Sequence, residues 1–205
     1  MRSRRHTAAS LIELLIAAAL IFLVLLCATQ LLVSCFRHYR EVDGAAQVHQ
    51  LAVTSMMRME RALRDGSQAS YQIFSSPPGI VFGSPRQGDG ALSFDPDSLQ
   101  PLWPKVMCFY LEPEAGVRFR LVQKEEFLST AEDTPPSIDS SHSTAHFQSN
   151  VNGGSVLARG VEELSFTDTD TLTIKLRVTD VSHEGSSSES KFSVEITTQI
   201  SFRNS

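Results

Sequence analysis

The amino-acid sequence predicts an α+β protein: one long N-terminal helix, half of it suited to a membrane and half amphipathic, packed on a strand-rich antiparallel C-terminal domain. Three observations carry this. From Leu14 to Phe36 no residue is charged. From Val48 to Leu63 apolar residues recur at steps of three and four. Beyond Gly66 the period falls to two, in short runs broken by turn residues. Steps of three and four line one face of a helix, and alternation lines one face of a strand.

The uncharged run covers about 23 residues, or roughly 34 Å of helix at 1.5 Å per residue. A hydrocarbon core is about 30 Å thick, so Leu14, Leu15, Ile16, Leu20, Ile21, Phe22, Leu23, Val24, Leu25 and Leu26 form the heart of an expected membrane anchor. Arg2, Arg4, Arg5 and His6 precede it, which keeps the start cytoplasmic and exports the rest. Glu13 stands at the mouth of the run, and no basic residue follows it until Arg37. An ionisable side chain beside hydrocarbon is costly, so Glu13 is a functional candidate.

Arg37, His38, Arg40 and Glu41 mark the exit from the apolar run. The helix is expected to continue to about Asp65, with Val48, Ala52, Met56, Met59 and Leu63 on its packed face. Gln47, Gln50, Thr54, Arg58, Arg61 and Asp65 line the other face, and Glu60 and Arg64 form a supportive pair four apart. Gly44 is a candidate soft point and Gly66 a candidate C-terminal cap.

Strands are expected at 71–74 and 80–82 around Pro77-Pro78-Gly79, then at 91–94. The nearly continuous apolar run 105–111 reads as a central strand, and 117–121 as its hairpin partner. Residues 129–154, rich in Ser, Thr, Pro, Asp, Asn and Gly, read as a long, mobile loop. Strands follow at 161–166, 172–178 and 192–202, the last two as an antiparallel pair, with a polar connection at 182–190.

Hydrophobic content of 41% and charged content of 20% suit a folded protein. The net charge is −5, and loss of Arg2, Arg4 and Arg5 would take it to −8, which argues against a nucleic-acid surface. Of three cysteines, Cys27 and Cys35 belong to the apolar run and Cys108 is alone beyond it, so no internal disulfide is implied. Cys108 reads as a small buried apolar residue, and Trp103 as a core residue, with an exposed anchor for a partner as the alternative.

Catalytic and metal-binding patterns are not found. His142 and His146 are four apart, but in a Ser-rich stretch without the glutamate of a zinc-protease helix. Asp95-Pro96-Asp97 and Asp168-Thr169-Asp170 lack the twelve-residue calcium loop with its closing glutamate, and read as turn residues. No nucleophile elbow, phosphate loop or nucleotide fingerprint is present. The expectation is no cofactor, no metal and no enzyme activity.

The stretch Ala8-Ala9-Ser10-Leu11-Ile12-Glu13-Leu14-Leu15-Ile16, behind its basic residues, resembles the class III signal of type IV prepilins and type II secretion pseudopilins. In that family glutamate is the fifth residue after the cut. The resemblance therefore implies cleavage between Ala8 and Ala9, N-methylation of Ala9, and an assembly role for Glu13. Ala8 and Ala9 stand where the family usually has glycine and often phenylalanine. The implied organisation is a leader peptide at 1–8, a transmembrane and assembly helix at 9–36, its amphipathic continuation at 37–66, and an exported β-rich domain at 67–205.

Met56-x-Arg58-Met59-Glu60-Arg61-x-Leu63-Arg64-Asp65, Gly160 to Phe166 and Ile200 to Asn204 are similar to the larger minor subunits, J-type pseudopilins and W-type pilins. The resemblance implies a structural minor subunit of a type II secretion pseudopilus, in its tip or initiation complex, single-pass in the inner membrane with a periplasmic C-terminal domain. Its implied partners are the prepilin peptidase and other pseudopilins or pilins. The alternative is a minor pilin of a type IV pilus or DNA-uptake filament. Three further readings are an ordinary secretory signal, an uncleaved anchor, and a lipid-anchored periplasmic binding protein acylated at Cys35 of Leu32-Val33-Ser34-Cys35.

Overall fold

A long helix opens the described residues. The computed structural model describes residues 11–114, 118–151, 153–169, 171–179 and 192–201. Helix α1 spans Leu11–Arg64, 54 residues. By its internal packing the chain divides into Met1–Asp43 and Gly44–Ser205. In the first unit every side chain from Leu11 to Arg40 is exposed. Among the described residues the uncharged stretch is therefore exposed on all sides. Its composition and length make α1 a helix able to cross a membrane.

In the second unit α1 runs on through Gly44 and turns one face inward: Val48, Ala52, Ser55, Met56, Met59 and Leu63 are buried. These are the positions the three-four spacing marks, with Ser55 added. Among the described residues seven strands follow: β1 (Tyr71–Ser75), β2 (Pro78–Ser84), β3 (Trp103–Pro113), β4 (Phe119–Glu132), β5 (Ser155–Asp168), β6 (Leu172–Thr179) and β7 (Ser193–Ile200). They form one antiparallel sheet whose spatial order is the chain order. Antiparallel neighbours need only short returns, so no crossover helix is required.

The main core lies between α1 and one sheet face, where Met56, Met59 and Leu63 pack with Phe82, Phe109, Leu121, Ile174 and Leu176. Strands β2 and β3 are buried on both faces, which is why β3 reads as a continuous apolar run. The outer side chains Val81, Val106, Cys108, Tyr110 and Val122 form a second core under Phe147. Strand β6 is buried on one face only, and its outward Lys175 and Arg177 pair with Glu163 and Glu195.

A buried hydrogen bond joins helix to sheet. The β4–β5 register steps from Leu121↔Ala158 to Val122↔Val156, so Leu157 is the extra residue of a bulge. Its carbonyl accepts a hydrogen bond from the buried Ser55 hydroxyl at 2.9 Å. Gly160, at φ 68°, supplies the left-handed turn of the same irregular stretch.

Four expectations are corrected. Residues 91–94 form no strand; only the bridges Arg86↔Leu92 and Phe94↔Pro101 occur, because Asp89 and Asp95 draw backbone N–H groups into turns. Strand β4 runs to Glu132, well past Leu121. The expected loop at 129–154 holds the end of β4, a 3₁₀ turn Ser140–His142 and a short helix α2 (Thr144–Ser149). Gly66 is not a left-handed cap. Its N–H reaches Leu63 O at 3.0 Å, and a Cβ there would lie 3.2 Å from the Phe82 ring, so the position requires close approach. The calls on 1–10, 182–190 and 202–205 lie outside the described residues.

The charges of β4 explain why its alternation was hidden. Lys105 of β3, its side chain 6% exposed, pairs with Glu125 at 2.6 Å. Its ammonium also lies 5.6 Å from the centre of the Phe127 ring. Removing Glu125, whose side chain is 33% exposed, strands the buried Lys105 charge. Glu125→Gln is therefore expected to lower stability by about 3 kcal/mol in urea denaturation. The double variant Lys105→Met/Glu125→Leu is expected to lie within about 1 kcal/mol of wild type, because no charge is then stranded.

Candidate functional site

The sequence points to the start of α1, and the described residues begin there. Glu13 lies in the first turn of α1 and is exposed. A carboxylate in a first turn faces the positive end of the helix dipole, which favours it locally. Leu14, Leu15, Ile16 and Leu20 to Leu26 follow as an apolar surface on all sides of the helix, with Leu14 68% and Leu26 49% exposed. Such a helix requires lipid or other helices as its solvent. Ala8 and Ala9 lie outside the described residues. Cys27 and Cys35 are exposed on α1.

The other candidates are distributed through the second unit as structural parts. His146, at the N-terminal part of α2, has its Nε2 2.9 Å from Glu126 and its Nδ1 3.1 Å from the Asn150 amide. His142 lies in the 3₁₀ turn, with its ring centre 6.4 Å from that of His146. The two imidazoles thus serve different neighbours. Among the described residues no three His, Cys, Asp or Glu side chains come together as a metal-holding group. The Asp95 carboxyl is held below its usual range by the Ser98 hydroxyl, then by the N–H groups of Asp97 and Ser98. It closes its own turn.

Cys108 is fully buried, and burial pushes its thiol up, far from a reactive thiolate. Trp103 is a core residue, 1% exposed. Tyr71 is pushed up to about 12 from 10.0, first by burial and then by its hydrogen bond to Asp168. Tyr110 is also raised to about 12, first by burial and then by Glu112. Raised values mean the folded chain holds these protons more tightly than the unfolded chain. Their contribution is complete below pH 10 and is lost as pH rises through about 12. In an alkaline titration, two of the three tyrosines are expected to ionise late, and stability is expected to fall across that window.

A feature the sequence did not assign lies on the outer face of α1. Thr54, Met57, Arg58, Arg61 and Arg64 meet Arg86 there around an open groove of about 490 Å³. Helical spacing puts the first five together; nothing in the sequence brings in Arg86. That residue arrives because Asp65, just past the helix end, holds its guanidinium at 2.6 Å.

No family model, curated protein or solved structure matches this chain.

Proposed function

We propose that the chain is a structural minor subunit of a type II secretion pseudopilus, cut between Ala8 and Ala9 and recruited to the filament tip through Glu13. The observation that carries this reading is the construction of α1. Its first part exposes an uncharged surface on all sides, while its second part supplies one wall of a folded domain's core. A helix of that kind gives an assembly both a rod to bundle and a head to display. Leu11-Ile12-Glu13-Leu14 at the mouth of the rod is the part that resembles prepilins. The inner membrane is where the subunit waits, its basic leader on the cytoplasmic side and its sheet domain in the periplasm.

In this reading the protein is not an enzyme. Cleavage frees an amine at Ala9, four residues before Glu13, and the peptidase methylates it. Removal of residues 1–8 strips three arginines that favour retention at the cytoplasmic face.

Intact-mass measurement and N-terminal sequencing of the membrane-extracted protein test the proposal. The expected chain begins at Ala9 and carries one methyl group. A chain beginning at Met1, or at a fatty-acylated Cys35, overturns it. Replacement of Ala8 by a bulky residue is expected to leave mainly full-length precursor on an immunoblot.

A further inference from the structure

The arginine groove of α1 is the least explained surface in the second unit. Two of its four guanidiniums are already engaged: Arg64 with Glu60, and Arg86 with Asp65 at 2.6 Å and with the Gly90 carbonyl. Asp65 is 8% exposed, so Arg86 is fixed from beneath. Arg58 and Arg61 are exposed and have no acidic partner among the described residues. Residues three apart are neighbours on a helix surface, so these two like charges oppose each other and weaken the helix that carries them. In a chain of net charge −5, this face has its cations in excess.

Met57 lies in the same groove and is 64% exposed. A thioether on a flexible stem adapts its shape to an apolar partner. A small inorganic anion would use the guanidiniums and leave Met57 in water. A partner carrying carboxylates beside an apolar side chain would use both. Planar guanidinium forks donate to carboxylates in a bidentate fashion, and Arg86, held by Asp65, is already fixed beside them.

We propose that this groove docks an acidic, amphipathic segment of another protein, its carboxylates on Arg58 and Arg61 and an apolar side chain on Met57. The assignment rests on the groove alone and stands whatever the fate of residues 1–8 or the role of Glu13.

The test uses the full chain in phosphatidylcholine nanodiscs. The probe is a fluorescein-labelled synthetic helical peptide of repeating glutamate and leucine. Its matched control carries glutamine for glutamate. The acidic peptide is expected to bind, and the control to bind about tenfold more weakly or less. R58Q/R61Q is expected to weaken the acidic peptide about tenfold, and Met57→Ser about threefold, while R159Q on β5 leaves it within about twofold.

Retained melting temperature shows that each variant is folded. Should R58Q/R61Q unfold, the wild-type salt titration decides instead: raising NaCl from about 50 to 500 mM must weaken the acidic peptide about tenfold. Absence of acidic-peptide binding overturns the proposal, as does equal binding by R58Q/R61Q or by the glutamine peptide. Inorganic phosphate or phosphatidylglycerol vesicles binding as tightly, with the same arginine dependence, overturn the assignment to a peptide partner.

Discussion

Phe147→Ala is expected to lower the stability of the sheet domain by about 3–5 kcal/mol. Phe147 is 0% exposed and is the large side chain that α2 lays over the outer face of β2, β3 and β4. Truncation removes its buried surface and leaves a cavity over Val81, Val106, Cys108, Tyr110 and Val122. A six-residue helix cannot hold itself in water, because nucleation costs more than so few hydrogen bonds return. Besides Phe147 and the His146–Glu126 contact, polar contacts hold both ends of α2. Ser143 caps its start by accepting from His146 N at 3.3 Å. The Lys124 ammonium donates to the carbonyls of Phe147 at 2.8 Å and Val151 at 2.9 Å, at the end where backbone oxygens gather.

Two measurements follow from the Phe147 variant. The urea midpoint should fall. In a Cys27→Ser/Cys35→Ser background, Cys108 should become labelled by maleimide under native conditions, because the cover over its thiol has loosened. A change of less than about 1 kcal/mol, with Cys108 still protected, would show that α2 only decorates the sheet.

The same α2 marks where the sequence stopped being readable. Sequence period revealed α1, β3 and β6, because each buries one continuous or regularly alternating set of side chains. The segment 129–154 is rich in Ser, Asp and Asn, whose side chains cap short helices as readily as they make turns. Only the three-dimensional position of Phe147, over β strands more than twenty residues away, decides for the helix. Strand β4 was truncated in prediction for a related reason. Lys124, Glu125 and Glu126 look like a solvated charge run, yet each faces a fixed partner: the α2 carbonyls, Lys105 and His146. Charge pairing between distant segments leaves no local period. The arginine groove was half legible, since the helix face is periodic and Arg86 is not part of it.

At the start of α1, if the proposed pseudopilin function holds, Glu13→Ala is expected to leave cleavage at Ala8–Ala9 largely intact and to weaken incorporation into the filament about a hundredfold. Two costs act on this residue, and they have opposite signs. Entering a bilayer, a carboxylate is unfavourable and alanine is not, so Glu13→Ala should anchor in the membrane as well as wild type or better. Entering a bundle of apolar helices, the new amine of Ala9 on this or a neighbouring subunit also becomes costly unless it meets a carboxylate. Removing one member of such a pair leaves the other charge stranded, at about 3 kcal/mol or more, which is the hundredfold. Glu13→Gln separates charge from shape: it keeps the hydrogen-bonding side chain and loses the ionic attraction, so its incorporation should fall between the two. If Glu13 only rests among lipid headgroups, all three proteins should enter the filament equally, and membrane fractionation would be the only assay to tell them apart. Opposite movements of the two readouts, firmer anchoring with poorer assembly, are what a register-setting carboxylate requires.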